Sequence, residues 1–314
     1  MPGAGLCRPV ANCQGLAYSD RPVPDMVKST SPSEIVIRDL TSVRDFESVQ
    51  RLEKRVWEFE DVDLTSVTLA IATRAAGSIW VGAFDGEQLA GFAFAMPSLE
   101  DGKVGFHSHT LAVLPAYSSK GLGYQLKLAQ RARALALGTK IMTWTFDPLR
   151  TRNAHLNFTK LGVVSNSYRP DFYGAATSSS LHTNGTDRLW VTWQMDDPRV
   201  ERRIATEDPR PEVLDMLRHL PPLLRFNGDG KPAESDVSEA LARQRIAIEI
   251  PGDIAQLERD HVGLARQWRL ATRGAFTEAL NAGFIVKEFC RSIRGQQGPG
   301  AYLLERGESE SLHH

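Results

Sequence analysis

The sequence predicts a mixed α/β fold: a mostly antiparallel central sheet flanked by helices, followed by a smaller C-terminal β-α-β-β half-domain. Three observations predict it. Apolar spacing between residues 34 and 196 runs strand, helix, helix, three strands, helix, strand, helix, strand. Asp85-Gly86 separates two apolar segments, a hairpin signal that makes the strands beside it antiparallel. A strand ending at Val113 passes through Pro115 into Ser118-Ser119-Lys120-Gly121-Leu122-Gly123 and directly into a helix.

Taken in order, residues 1–33 carry Gly, Pro and Ser with little periodicity and read as a disordered tail. Order begins with a short strand at 34–38. Ser42-Val43-Arg44-Asp45 is a capping box, and Phe46, Val49, Leu52, Val56 and Trp57 follow at helical spacing. A second helical segment covers 67–76 and stops at Gly77. Strands at 78–84, 88–96 and 103–113 lead into the glycine loop and its helix. Residues 140–146 form the next strand, closed by Asp147-Pro148, and 152–161 a short helix stopped by Gly162. A loop carries Tyr168, Asp171, Phe172 and Tyr173. The strand at 188–195 then sets Trp190 and Trp193 on opposite faces, because side chains alternate.

Residues 197–236 read as a crossing segment with a short helix at 213–217. The C-terminal unit, 237–305, has strands at 245–250, 284–290 and 301–304 and helices at 253–257 and 263–282, and 306–314 is a tail. That unit packs against the first sheet, against a partner subunit in a homodimer, or stands as an independent small domain.

Composition excludes several function classes. The chain has 314 residues, enough for one large core or two small ones, and a formal net charge of −1. Nothing in that balance recruits nucleic acid or an anionic membrane. No apolar run is long enough to span a bilayer, and the N-terminal stretch lacks the apolar core of a signal peptide. Cys7, Cys13 and Cys290 are too few and scattered for a disulfide framework or a zinc site. The expectation is a cytoplasmic protein without a metal.

The glycine loop carries the chemistry. Two glycines let backbone N–H groups crowd together at the positive end of a helix dipole, a cradle for an anion such as phosphate. It is neither GxxxxGK[ST] nor GxGxxG. A strand, Val113-x-Pro115, Lys120-Gly121-x-Gly123 and a helix together resemble the pyrophosphate loop of the GNAT acyl-CoA N-acyltransferases, usually [RQ]-x-x-G-x-[GA]. Ser118 stands where Arg or Gln is usual. The element order over 34–196 is also similar to the GNAT fold. Runs such as LAVLPAY, RNAHLNFTKLG, RPDFYG, DRLWVTW and IAIEIPGD resemble a long branch of that family spanning both halves. One function attached to that branch is N-succinylation of hydrophobic D-amino acids.

The resemblance implies acyl-CoA (acetyl-CoA or succinyl-CoA) as co-substrate and a small-molecule amine, an amino acid for preference, attacking directly in a ternary complex. The backbone of Leu111, Ala112 and Val113 would polarise the thioester carbonyl, with the Val113 N–H foremost. Ser118, Ser119, Lys120, Gly121, Leu122, Gly123 and Tyr124 would hold the pyrophosphate, and Asn153 would reach the pantetheine arm or the substrate. The family's usual acid is a tyrosine in Y-x-K-x-G; here the run is Phe158-Thr159-Lys160-Leu161-Gly162. The thiolate then takes its proton from another group, such as Tyr117, Tyr168 or Tyr173, or leaves without one. The alternative functions are a GNAT-like domain that binds coenzyme A or another ligand without turnover, and a different CoA-thioester reaction.

The residues themselves suggest the remaining roles. His107 and His109, two apart on one strand, are candidate bases, with Asp147 as rival and Tyr173 as candidate acid. Arg152 and Arg169 are candidate forks for a substrate carboxylate, ahead of Arg150 and Arg188. Trp144, Phe146 and Phe172 are candidate walls of an apolar pocket.

Overall fold

The computed structural model describes residues 34–100, 102–118, 120–174, 184–206, 211–295 and 298–307. The tail read at 1–33 lies outside the described residues, as do Ser119 and positions 308–314 of the tail read at 306–314, whose first residue, Arg306, instead ends the last strand. Strand β1 (Ile35–Asp39) precedes helix α1 (Val43–Trp57). Ser42 Oγ accepts from the Asp45 N–H at 3.1 Å, and the Asp45 carboxylate accepts from the Ser42 N–H at 3.0 Å. These two bonds satisfy donors that a helix start leaves open. Helix α2 (Val67–Ala75) ends at Gly77, whose φ of +93° suits glycine.

Strands β2 (Ile79–Asp85), β3 (Gln88–Glu100) and β4 (Lys103–Val113) form an antiparallel meander. Helix α3 (Leu122–Ala136), strand β5 (Ile141–Phe146) and helix α4 (Thr151–Ala154) follow. Helix α4 runs on as a π-helical stretch, His155–Leu161, stopped at Gly162 with φ +73°. Strands β6 (Val164–Arg169) and β7 (Arg188–Gln194) pair antiparallel. Tyr168 and Arg169 therefore lie on a strand that the sequence reading had as loop.

The segment read as a crossing is largely structured. It holds α5 (Pro198–Ala205), α6 (Pro211–His219), β8 (Pro222–Phe226) and β9 (Pro232–Glu234). After it come α7 (Val237–Leu241), β10 (Arg245–Ile250), α8 (Ile254–Asp260), α9 (Val262–Asn281), β11 (Phe284–Cys290) and β12 (Gly300–Arg306). All strands join one sheet in the order β1-β2-β3-β4-β5-β7-β6-β11-β12-β10-β8-β9.

The order reads alike in both directions from the β6–β11 seam, where Ser165 faces Val286. Outward on one side come β7, β5 and β4, the last pair parallel. On the other come β12, β10 and β8, again with a parallel last pair. The C-terminal unit thus repeats the topology of the preceding half and continues the first sheet.

Alternation sorts the side chains into two faces. On one, Trp144 and Trp193 meet edge to face at 5.9 Å, and Phe158 packs on Phe146 and Tyr302. Helix α3, the π-helical stretch and α9 cover this helix face. On the other, Phe46 of α1 packs on Trp80, which stacks on Phe94 at 3.9 Å, while His107 packs on Trp190 at 4.8 Å.

Candidate active site

Strands β4 and β5 pair over only two positions, Phe106 with Met142 and His107 with Thr143, and from Ser108 and Trp144 onward no pairing is made. A β-bulge assists the parting. Ala95 faces Ser108 and Phe94 faces Thr110, so His109 is the extra residue, and a bulge bends its strand. The result is a cleft, β4 on one side and β5 on the other, with its mouth at Val113 and the glycine loop. The Leu114 N–H donates to Ala90 O on β3 at 2.8 Å. Successive strand N–H groups point to opposite edges, so those of Val113 and Leu111 point into the cleft. The Ala112 N–H points back toward β3.

At the mouth, no side chain caps α3, and Gly121 precedes the helix with φ +71°. Gly123 is not required by internal packing, because a Cβ there would meet Leu111 Cδ2 at an ordinary 3.5 Å. Its missing side chain leaves room over the uncapped amides, which suits a pyrophosphate. Lys120 lies beside this mouth with Nζ over the Tyr117 ring at 4.7 Å. Ser118 Oγ is turned back to Pro115 O at 3.0 Å. Tyr124 lies one turn into α3, with Lys160 Nζ 5.6 Å from its ring. We expect Gly123→Val to leave the melting temperature unchanged within error and to weaken coenzyme A binding by on the order of tenfold or more in a calorimetric titration. Unchanged affinity would remove the phosphate from this helix end.

The histidines stand on the open face. His107 Nδ1 is 3.0 Å from Thr143 Oγ1, and burial, then His109, then Lys127 hold its pKa down at about 4. His109 has an exposed side chain by area, yet the surrounding cleft walls still lower its pKa through desolvation. Both are neutral at pH 7 and able to accept a proton.

Asp147 is committed elsewhere. Its carboxylate takes both guanidinium nitrogens of Arg269, at 2.8 and 2.7 Å, and accepts from the Leu149 N–H. Burial pushes its pKa up, but the Arg269 charge and hydrogen bonds outweigh this and lower it. A carboxylate so bound is a poor proton acceptor, and this geometry corrects the reading of Asp147 as a rival base.

The residues read as one substrate pocket are divided. Trp144 and Phe146 are buried on the helix face, Trp144 with its Nε1 donating to Asn157 Oδ1 at 3.2 Å. Arg169 and Phe172 are on the open face, 5.9 and 6.3 Å from the Trp190 ring. That face holds a cavity of about 280 Å³ between Ser98, Thr143, Asn166, Arg169 and Trp190. Tyr173 is exposed beside Phe172, its ring 5.1 Å from the Arg188 guanidinium. Arg152 and Asn153 are exposed at the start of α4.

The sequence reading missed four residues here: Ser108, Lys127, Gln130 and Arg269, all buried. Lys127 had one signal, a charge on the stripe that carries Leu122, Leu126 and Ala134. In the second half the corresponding β8–β10 gap is filled. Glu249 accepts from the Phe226 N–H at 2.7 Å, and Trp268 stacks on Phe226 at 5.4 Å. Among the described residues, no group of three or more His, Cys, Asp or Glu could hold a metal ion, and no helix is long and apolar enough to cross a membrane.

Residues 40–162 match the model of the Acetyltransferase (GNAT) family. This segment is a GNAT domain. The match concerns that segment alone and leaves the acyl group open. No curated protein matches the sequence. Among solved structures, the ribosomal-protein-S18-alanine N-acetyltransferase of Escherichia coli is similar at 17% identity and TM-score 0.42, covering 52% of this chain and 94% of its own. A GNAT family acetyltransferase from Brucella melitensis in complex with acetyl-CoA is 20% identical with TM-score 0.33, over 38% of this chain and 81% of its own. An aminoglycoside 6′-acetyltransferase type Ii is 18% identical with TM-score 0.41, over 51% of this chain and 97% of its own. The β8–β12 half lies beyond the segment that the family model matches; it joins the first half through the β6–β11 seam, just past that segment, and through the pairing of Arg269 with Asp147, which lies within it.

Proposed function

We propose that the protein transfers an acyl group, acetyl or succinyl, from an acyl-CoA to the amine of a small molecule, an amino acid for preference, in a ternary complex. The observation that carries this reading is the cleft between β4 and β5, with uncapped α3 amides at its mouth and the Val113 and Leu111 N–H groups along its wall. Those amides suit a pyrophosphate, and an inward N–H suits a carbonyl oxygen gaining charge. Gly121, Leu122, Gly123 and Tyr124 would hold the phosphates, with Lys120 as a point charge and the Ser118 hydroxyl turned away. The bound coenzyme supplies an activated thioester.

The chain's own groups do the rest. His109, first into the opened cleft, takes the amine proton, directly or through water. His107, fixed by Thr143 and Trp190, borders the space where the acceptor lies. Arg169 is the fork best located for an acceptor carboxylate, since it lines the same cavity as Trp190. Binding in a cavity of that size restricts the acceptor to a small molecule or a chain end. A soluble cytoplasmic setting accords with such substrates.

The test is thiol release from acetyl-CoA and from succinyl-CoA with D- and L-amino acids and simple amines. Release that requires the amine is expected. Tight coenzyme A binding with no amine-dependent release from any donor would replace transfer by ligand binding.

A further inference from the structure

Lys127 lies in mid-α3 and is 3% exposed. Its Nζ donates to Ser108 Oγ at 2.7 Å and stands 3.7 Å from the Trp144 ring centroid. Among the described residues it forms no ion pair with a carboxylate. Beside it, Ser108 donates to Gln130 Oε1 at 2.9 Å, and the buried Gln130 Nε2 has no partner. A buried ammonium without a counter-charge is unfavourable, and so is an orphaned amide. Both occur where β4 and β5 part, since Ser108 and Trp144 are the first residues beyond the last β4–β5 pair.

The groups that could protonate a leaving sulfur are few. Phe158 has no hydroxyl. Tyr117 donates to Asp85 at 2.6 Å, Tyr168 to Asp187 at 2.7 Å and Tyr302 to Pro148 O at 2.5 Å. Tyr173 is exposed on the open face. An acceptor held on the histidine face leaves the helix face of the cleft for the sulfur, and Lys127 is the cation on that face at the point where the strands part.

We propose that Lys127 is the proton donor to the departing thiolate, a role that rests on the acyl-transfer reading above. As the carbon–sulfur bond breaks, sulfur keeps the electron pair and takes one proton from the Lys127 ammonium. Free thiol and a neutral amine result, and the amine regains its proton from water before the next turnover. Burial lowers the Lys127 pKa to about 7, below the ordinary thiol value of about 8.5, so the transfer runs downhill. The titratable group coupled to Lys127 is His107 of β4, whose side chain is on the opposite face of the sheet; β5 presents Trp144, and on the helix face Lys160 of the π-helical stretch lies over the Tyr124 ring of α3.

The experiment compares wild type, Lys127→Met and Tyr124→Phe, first by titrating the thiol of bound coenzyme A through its thiolate ultraviolet absorbance. Because Lys127 itself loses its proton near pH 7, the wild type is expected to move the bound thiol's titration down by a fraction of a unit, and Lys127→Met to return it to about 8.5. In turnover, Lys127→Met is expected to lose about 10²-fold in kcat with acetyl-CoA and succinyl-CoA alike, together with the alkaline limb near pH 7.

Folding of the variant is checked by melting curves. The folded pKa of Lys127, about 7, lies below the unfolded value of about 10.4, so wild-type stability rises with pH between them. That rise is lost in Lys127→Met if it folds alike. An unmoved thiol titration overturns the proposal. So does a loss confined to carboxylate-bearing acyl donors, or one that follows Tyr124→Phe instead. A wild type that binds no coenzyme A sinks the acyl-transfer reading, and this role with it.

Discussion

His109→Ala is expected to lower kcat/KM for the amine by about 10²- to 10⁴-fold while leaving the dissociation constant of coenzyme A within twofold of wild type. The reason is location. His109 is the bulged residue of β4 and stands where the cleft opens, on the face opposite Lys127. The sign of the pH dependence follows. A base works when neutral, so the rate rises as pH climbs through its pKa. Desolvation holds His109 below the ordinary histidine value, and the acid limb of kcat/KM is therefore expected below about 6.5. In His109→Ala that limb passes to His107, still held below the ordinary histidine value by burial and Lys127, or disappears with the activity. A variant with full activity and an unchanged acid limb would exclude His109 as the base.

Arg269→Met carries the largest expected effect on stability. Arg269 and Asp147 expose only 4% and 9% of their side chains, and their bidentate contact links α9 of the second half to the end of β5. Removing one partner strands the other as a buried charge, a loss of about 3–5 kcal/mol by chemical denaturation. Asp147 keeps Arg150 at 3.5 Å as a partial substitute, which puts Arg269→Met toward the lower end. The pair also sets the acid response. The folded Asp147 pKa lies below the unfolded value of about 3.9, so its contribution is complete above that pH and fades as pH falls through the folded pKa. Arg269→Met should flatten that part of the stability profile. The double variant Asp147→Leu/Arg269→Met should recover part of the loss, since no charge is stranded. A single variant as stable as wild type would mean the contact does not hold the halves together.

Much of the first sheet was legible because turn chemistry punctuates it: the Ser42 box, Asp85-Gly86 and the stops at Gly77 and Gly162 each mark a boundary without tertiary help. Strand β6 was not. Val-Ser-Asn-Ser-Tyr-Arg has no clean alternation, and it is a strand because β7 and β11 flank it. Strand β8 is short and opens with proline; its near partner, β9, has only three residues, and its other partner, β10, lies about twenty residues further on. At the site, the glycine loop was local and readable. The grouping of Trp144 and Phe146 with Phe172 failed because the first two belong to one face of the sheet and the third to the other. Lys127 went unseen because burial of a helical lysine depends on what two strands leave open beneath it.

The seam between β6 and β11 has a consequence for how the chain must fold. Ser165 meets its partner Val286 about 120 residues later in the sequence. At a synthesis rate of about 5–20 residues per second, the first half waits on the order of 6–24 s with β6 as an open edge. An unpaired edge is a template for another chain. Two nascent copies could exchange C-terminal halves across equivalent seams, so refolding yield should fall as protein concentration rises.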